Sequence, residues 1–187
     1  MISSLKLVGG GGSAMPAAIA KKLKDLHGLN YLKGYGLTET IAATHLNPTD
    51  APRAQYLGMT VFDVKSCIWS PQDHKKLGPN EIGEILIAGP QIFLEYWRRP
   101  EAAEKAFVKL DGITYFRTCD IGYVDEDGFF YMVDRLKRMI KALGFKIWPA
   151  EVETILHGHP RIAEACVIAS KDQRNSETVK AIIVKKR

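Results

Sequence analysis

The first thirty-six residues place an apolar run, a row of glycines and an amphipathic segment in direct succession. The run "LKLV" (5–8) predicts a short buried strand that passes straight into "GGGGS" (9–13). Residues 16–27 predict a helix, with Pro16 suited to its first turn and Gly28 to its end. Its apolar face is formed by Ile19, Leu23 and Leu26. Residues 29–36 predict a second strand, and this β–loop–α–β order favours an α/β architecture with ligands at the strand ends.

The pattern of apolar and polar residues changes near residue 56. Short apolar or alternating runs separated by polar turns predict antiparallel hairpins, with Asp127-Gly128 as a two-residue turn. A lone helix over 100–110 interrupts them. After Arg135 we expect short strand pieces, a helix from Pro149 to His157 and two closing strands.

These patterns predict two domains. Residues 1–136 form the first, with an α/β piece at 1–55 and a β-rich subdomain at 56–136. Residues 137–187 have their own β–α–β pattern but are too few for a large core, so we expect a small α+β lid.

Composition and charge favour an ordinary globular protein over a disordered chain, a nucleic-acid-binding protein or a membrane-spanning protein. Hydrophobic residues at 46% and charged residues at 25% are typical of a globular chain. The net charge of +5 is spread along the sequence, which favours a solvated surface over a nucleic-acid footprint. Three cysteines without metal-ligand spacing indicate a reducing, cytoplasmic setting. Without an 18-residue apolar run or a signal-peptide layout, we expect any membrane contact to be peripheral.

The decapeptide "YLKGYGLTET" (31–40) combines residue types that a packed core does not need. Gly34 and Gly36 free the backbone around Tyr35, whose ring is able to stack on a purine. The hydroxyl of Thr38 suits phosphate oxygens, and the carboxylate of Glu39 suits Mg²⁺, which binds one or two carboxylates together with substrate phosphates. A solvated turn between strand and loop is the alternative interpretation.

Other candidates carry weaker signals. The glycines at 9–12 admit a flat or anionic ligand, or simply make a turn. Asp120 follows a strand pattern, where it would accept hydrogen bonds from ribose hydroxyls or cap a turn. Arg135, at the end of the last hairpin strand, would bind ribose or phosphate oxygens or form a surface salt bridge. Lys137, Arg138 and Lys141 form a basic face of the kind that is usually solvated.

Taken in order, these segments resemble the adenylate-forming superfamily, which comprises acyl- and aryl-CoA synthetases, firefly luciferase and peptide-synthetase adenylation domains. "GGSAMP" (11–16) is similar to its adenine loop, and "YGLTE" (35–39) matches its YGxTE motif. Residues 83–102 resemble its GE…GP…GY…PE block, and residues 115–153 its Y-x-TGD and DRxKxxIKxxGxxIxPxEIE blocks. The motifs "DRLKRMIK" and "YGLTET" resemble those of CoA ligases and luciferases more than those of peptide-synthetase domains, and "YLGMTVFDV" and "GPQIFLEYW" resemble fatty-acyl-CoA synthetases.

The resemblance implies ATP or AMP, Mg²⁺ and coenzyme A as ligands, and it assigns roles by position. Gly11, Gly12 and Ser13 would border adenine and the acyl pocket, with Tyr35 stacked on the base within the Gly34–Gly36 turn. Thr38 would contact phosphate, Glu39 would hold Mg²⁺, Asp120 would bind the ribose, and Arg135 would lie near ribose or phosphate. Lys137 would be the hinge of the lid, while Lys141 and Gly144 would face the site in thioester formation, Gly144 beside the pantetheine channel.

The sequence also departs from the family pattern. Cys119 replaces the glycine of TGD, which tightens the turn if the backbone needs a positive φ there, and Glu95 replaces the glycine of GY. A phosphate-binding loop with its lysine does not occur, and the chain ends before the late lid lysine. We therefore expect the C-terminal part of a longer enzyme that does not adenylate alone, which acid-dependent pyrophosphate exchange by this chain would contradict.

The resulting prediction is a fragment of an AMP-forming acid–thiol ligase that activates a carboxylic acid and transfers it to coenzyme A. The sequence motifs favour a fatty acid as that substrate. The alternatives are a noncatalytic nucleotide-binding module of the same fold and a peptide-synthetase adenylation domain. Upstream sequence with a phosphate loop would favour the enzyme. Apolar surface left exposed on an incomplete large domain would favour a homo-oligomer.

Overall fold

The computed structural model describes residues 4–12, 15, 17–142, 144–172 and 176–186. It divides into two compact units, the first comprising Met1–Thr118 with Gly122–Met132 and the second comprising Cys119–Ile121 with Val133–Arg187. Within the described residues, no helix is long and apolar enough to cross a membrane.

The opening of the chain is a parallel β–α–β arrangement, as predicted. Two parallel strands, β1 (Val8–Gly10) and β2 (Tyr31–Tyr35), flank helix α1 (Ala17–His27). Gly28 ends the helix, with φ +69° and its amide bonded to the Lys24 carbonyl at 2.8 Å. Pro16, predicted in the first helical turn, lies outside the described residues.

The first strand of this opening differs from the prediction. Strand β1 begins at Val8 rather than Leu5, because the parallel ladder to β2 uses glycine backbone, which a side-chain pattern cannot reveal. On the predicted apolar face of the helix, Ile19 and Leu26 are 53% and 63% exposed, and Leu23 is half-buried.

The first sheet continues with two short antiparallel strands, in the order β1-β2-β3-β4. They are β3 (His45–Leu46) and β4 (Met59–Thr60). Tyr35 pairs with His45 and His45 with Thr60, so the end of β2 is held between these strands.

The β-rich region forms a second sheet with the order β10-β9-β7-β5-β6, and β8 pairs with β9 outside that path. Its elements, with the one helix among them, are β5 (Lys65–Ser70), β6 (Lys75–Lys76), β7 (Gly83–Ala88), α2 (Pro100–Ala106), β8 (Phe107–Leu110), β9 (Ile113–Val124) and β10 (Phe130–Arg135). Strand β7 is buried along its whole length and forms the centre of the core.

Two predicted details of this region are wrong. The helix over 100–110 stops at Ala106, and Phe107–Leu110 is the strand β8, which pairs with β9 across a two-residue Asp111-Gly112 turn. Both turn residues have positive φ, +50° and +79°, the requirement of a type I′ hairpin turn. Asp127-Gly128 is no two-residue turn, since the Gly128 amide bonds to the Asp125 carbonyl and Asp125 pairs with Phe129. The Asp125 carboxylate caps this longer loop by accepting the amides of Asp127 and Phe129.

The second unit matches its predicted elements closely. They are the hairpin β11 (Ile140–Ala142) and β12 (Phe145–Ile147), helix α3 (Pro149–His157), and the hairpin β13 (Ile162–Asp172) and β14 (Ser176–Lys185). Its core gathers Ile140, Ala142 and Val167 beneath α3. This unit has the α+β composition expected of the lid, while its predicted limits at 137–187 stay a prediction.

Candidate functional site

The YGLTE motif forms a tight turn directly after β2. Residues Thr38–Thr40 make one turn of 3₁₀-helix, and the fully buried Thr40 fastens it: the Leu37 amide donates to Thr40 Oγ1 at 2.9 Å, and that hydroxyl lies 2.9 Å from the Leu37 carbonyl. Thr38 is left exposed and Glu39 half-buried. The two residues predicted to contact phosphate and Mg²⁺ therefore lie side by side on an ordered turn.

Close packing beside Tyr35 requires glycine at position 36 and favours it at position 34. A Cβ added to Gly36 would lie 2.7 Å from the Ala42 carbonyl oxygen, and one added to Gly34 would lie 3.0 Å from Leu46 Cδ2. The two glycines let the returning chain approach the motif closely.

Tyr35 itself is largely enclosed. Its side chain is 8% exposed and belongs to the core cluster that contains Ile85, Ile87 and Phe130. Its ring is tilted against His45 with 5.5 Å between the centroids. Stacking of this ring on a purine stays a prediction.

His45 is a buried residue that the sequence reasoning missed. Thr44 Oγ1 contacts both the Tyr35 carbonyl at 3.3 Å and His45 Nδ1 at 3.0 Å. If the single hydroxyl proton goes to the carbonyl, Nδ1 carries the imidazole proton and Nε2 is left as a buried acceptor without a partner. Burial lowers the pKa of His45 to about 3, so the ring is neutral at pH 7.

Glu39 is held by a segment on which no functional residue was predicted. The Phe93 amide donates to the Glu39 carbonyl at 2.8 Å, and the Tyr96 hydroxyl donates to Glu39 Oε1 at 2.8 Å. Tyr96 is the tyrosine of the GY block, and no role was predicted for it. The contact spans 57 residues and therefore has no local sequence signal.

The glycine loop before α1 approaches the same strand. A Cβ on Gly11 would lie 3.0 Å from the Gly34 carbonyl oxygen, so Gly11 and Gly34 are brought together, while Gly12 has φ +82° and open space beside it. Ser13 lies outside the described residues.

In the second unit, Asp120 and Arg135 form an ion pair, with 3.2 Å between Arg135 Nε and Asp120 Oδ1. The carboxylate is 2% exposed and the guanidinium 64% exposed. Asp120 was expected after a strand, but β9 continues through it to Val124. The strand accommodates the motif with Cys119 at φ +57°, the positive φ that the family's glycine would adopt freely.

The three remaining predicted residues are exposed. Lys137 lies in the turn Leu136–Arg138, Lys141 in β11, and Gly144 in the β11–β12 turn with φ +83°. None of their predicted roles is tested by these positions.

A neighbouring network anchors the start of α3. Asp134 Oδ2 accepts the Ala150 amide at 2.9 Å, and Oδ1 accepts the Arg135 amide at 2.7 Å. Arg138 joins Asp134 at 3.3 Å to Glu153 at 2.8 Å. Asp134 was not among the predicted residues, although an aspartate before a basic turn is a visible signal.

The donor set around the motif fits Mg²⁺ shared with a nucleotide better than a metal caged by protein. Among the described residues, no group of three or more His, Cys, Asp or Glu side chains could hold an ion by themselves. Glu39 offers one carboxylate beside the exposed hydroxyl of Thr38. Mg²⁺ commonly keeps water and phosphate oxygens in its remaining positions, so one carboxylate suffices.

Comparison with known proteins gives a consistent picture. The family model described as "AMP-binding enzyme" matches residues 1–97, and "AMP-binding enzyme C-terminal domain" matches residues 151–187. The Bacillus subtilis long-chain-fatty-acid–CoA ligase is 38% identical over 100% of this chain and 33% of its own length. The Photuris pensylvanica luciferin 4-monooxygenase is 39% identical over 98% of this chain and 33% of its own length. The chain thus spans about a third of these relatives.

Solved structures share the fold. The Bacillus subtilis o-succinylbenzoate CoA synthetase in complex with ATP and magnesium ion superposes with a TM-score of 0.83, at 29% identity over 97% of this chain and 37% of that one.

Proposed function

Because the chain belongs to the family of AMP-binding enzymes, we propose that it is part of an ATP-dependent acid–thiol ligase that forms an acyl-adenylate and passes the acyl group to coenzyme A. The observation that carries this proposal is the Asp120–Arg135 ion pair. Two residues expected separately to bind the nucleotide meet there, one a buried carboxylate and the other an exposed guanidinium. Relatives named as CoA ligases and a structural neighbour solved in complex with ATP and magnesium ion support it.

In the proposed reaction, a substrate carboxylate oxygen bonds to the α-phosphorus of ATP while the bond to pyrophosphate breaks. A thiolate then attacks the acyl carbon, and AMP leaves. Both reactants of the first step are anions, so charge on the phosphate oxygens must be offset and the groups aligned. Bound Mg²⁺ would supply positive charge at those oxygens.

The chain's own residues would bind and orient. The Thr38 hydroxyl donates to a phosphate oxygen, and the Glu39 carboxylate holds the metal. Asp120 accepts hydrogen bonds from the ribose hydroxyls, and Arg135 contacts ribose or phosphate. For the second step we propose that Lys141 and Gly144 face the thiol after rotation about Lys137, since the two steps need different surroundings.

We propose a fatty acid as the acid and the cytoplasm as the setting. The first is supported by the Bacillus subtilis relative, although other relatives are named for luciferin, coumarate and o-succinylbenzoate. The second rests on the three cysteines, all of them described, which form no disulfide. Titration with non-hydrolysable acyl-adenylate analogues carrying dodecanoyl or benzoyl groups tests the acid. Tighter binding of the benzoyl analogue would refute a fatty acid.

AMP titration by calorimetry tests the nucleotide role directly. We expect Asp120→Ala to weaken AMP binding at least about 10-fold, in line with a lost charge-assisted hydrogen bond. Glu164→Ala, a substitution of an exposed acid in β13, is the control and should bind as the wild type does. Equal affinity of wild type and Asp120→Ala would remove the ribose role.

A further inference from the structure

The segment over residues 89–99 lies against the YGLTE turn without regular secondary structure of its own. All of these residues are described, and they belong to no helix or strand. Its conformation is therefore fixed by individual hydrogen bonds and side-chain contacts rather than by a helix or a sheet ladder. Leu94 and Trp97 do not provide them, because they are 91% and 80% exposed.

Phe93 and Tyr96 are the residues that anchor the segment. The Phe93 ring stacks on Phe107 and meets Phe116 edge-on, with centroid distances of 5.5 and 5.4 Å. Tyr96 packs against Phe93 at 4.7 Å. The tyrosine ring is thus seated on an aromatic cluster of the second sheet, which limits where its hydroxyl can lie.

That hydroxyl is directed at the carboxylate proposed to bind Mg²⁺. Tyr96 donates to Glu39 Oε1 at 2.8 Å, while the Phe93 amide holds the Glu39 main chain at 2.8 Å. A glutamate has three rotatable side-chain bonds, and fixing them at the moment of binding weakens affinity. The Tyr96 bond restrains these side-chain torsions beforehand, the Phe93 bond holds the main chain from which the side chain extends, and Oε2 is the second carboxylate oxygen.

We propose that Tyr96 is a positioning residue for the metal: its hydroxyl holds Glu39 so that the carboxylate meets Mg²⁺ bound to the phosphates of ATP. The inference rests on the proposed function and extends it to a residue of the GY block. Substitution of a residue that hydrogen-bonds to a metal ligand and orients it typically changes metal affinity by about 10- to 100-fold.

The test is Tyr96→Phe, which removes the hydroxyl and keeps the ring on Phe93. ATP binding is titrated at several Mg²⁺ concentrations, AMP binding is measured without metal, and Mn²⁺ binding in the presence of ATP is followed by electron paramagnetic resonance. We expect the apparent affinity for Mn²⁺ or Mg²⁺ with ATP to fall about 10-fold. AMP affinity and the melting temperature should stay at the wild-type values.

Two further variants separate positioning from general destabilisation. Glu39→Gln should lose the metal dependence, and adding Tyr96→Phe to it should cause no additional loss, since the hydroxyl acts through the carboxylate. Tyr123→Phe removes another hydroxyl of the first unit, one bonded to Tyr56, and should leave metal and nucleotide binding unchanged.

Each outcome decides the matter. Unchanged metal affinity in Tyr96→Phe overturns the inference, as does an equal loss of AMP and ATP binding, which would indicate a structural role. Additive losses in the double variant also overturn it. If wild type binds AMP but shows no metal dependence with ATP, the metal role of Glu39 fails together with the inference while the Asp120 ribose site stands. If wild type binds neither nucleotide, the proposed function fails as a whole.

Discussion

Cys119 adopts a backbone conformation that suits glycine. Its φ of +57° brings the Cβ of an L-residue too close to the following carbonyl oxygen, at a cost of about 1–2 kcal/mol. The residue is followed directly by Asp120, so the strain lies at the proposed ribose contact. The sequence had identified this position through the family's glycine, and the structure confirms that a positive φ is needed there.

We therefore expect Cys119→Gly to be more stable than Cys119→Ala by about 1 kcal/mol. Both variants lose the thiol and its contacts, so their difference isolates the Cβ strain. Urea unfolding of the two variants measures it. Equal midpoints, or a less stable glycine variant, would show that the surroundings of Cys119 favour this conformation for other reasons.

The buried imidazole of His45 gives stability a defined dependence on pH. Its folded pKa of about 3 lies below the ordinary value of 6.5, so between these values the unfolded chain binds the additional proton. This contribution is complete above pH 6.5 and is lost as pH falls toward 3, at a limiting rate of about 1.4 kcal/mol per pH unit.

His45→Gln should remove this part of the acid sensitivity. We expect the variant to be less stable at pH 7, because the imidazole contacts with Tyr35 and Phe130 are lost, but to lose about 2.5 kcal/mol less than wild type between pH 7 and pH 4.5. Urea unfolding at both pH values measures the difference. His74→Gln, a change at an exposed histidine, should follow wild type, and parallel losses in all three proteins would contradict the assignment.

Residues with a chemical signature could be proposed from the sequence, whereas residues whose partners are distant in sequence could not. Thr38 and Glu39 stand out because their side chains are polar and adjacent to glycines. Tyr96 and His45 have ordinary neighbours in sequence, and their importance comes from partners brought near by the fold. Periodicity and composition carry no information about such contacts.

At the scale of elements, the predictions failed where two signals competed. Residues 100–110 start with proline and helix-favouring residues, but "FVKL" is β-favouring and is followed by Asp-Gly, the hairpin signal that was assigned to 127–128 instead. Pairing with β9 makes residues 107–110 a strand rather than the end of the helix. Helix α3 was predicted within a residue at both ends because Pro149 and Gly158 mark them unambiguously.

Helix α3 depends on a cap from a distant residue. Its N-cap Trp148 makes no side-chain capping bond, and Asp134 supplies the acceptor instead at the Ala150 amide. Asp134→Ala leaves that amide and Arg138 without this carboxylate. We expect the free energy of unfolding to fall by about 2–3 kcal/mol, which is less than for a fully buried ion pair because Arg138 is 43% exposed. Asp134→Asn keeps an acceptor and should lose less. Hydrogen exchange of the α3 amides measures both, and equal exchange in the two variants would contradict the capping role.

At the scale of the whole molecule, the net charge is distributed unequally between the two units. The first unit holds 14 basic and 14 acidic residues, whereas the second holds 12 and 7, which together make the 26 and 21 of the chain. The net charge of +5 therefore belongs to the second unit, where Arg135 and Lys141 lie. An anionic ligand would therefore be attracted to the second unit more strongly than to the first.

The hydrophobic clusters are divided in the same way, which predicts how the molecule unfolds. Two clusters, with Ile85 and Leu86 at their centres, belong to the first unit, and the cluster around Ile140 belongs to the second. Ile85 and Ile140 are 0% and 1% exposed, so Ile85→Ala and Ile140→Ala remove the same atoms from equally buried positions. Each should cost about 2–5 kcal/mol in its own unit.

Hydrogen exchange resolved by peptide distinguishes separate from joint unfolding. If the units are cooperative on their own, Ile140→Ala accelerates exchange in α3 and β13 and leaves β5 and β7 at wild-type rates, while Ile85→Ala does the reverse. Acceleration of both sets by either variant would show one cooperative molecule. Separate unfolding is also what the proposed function requires. A second unit that rotates as a lid between two chemical steps must keep its own core folded while its surroundings change.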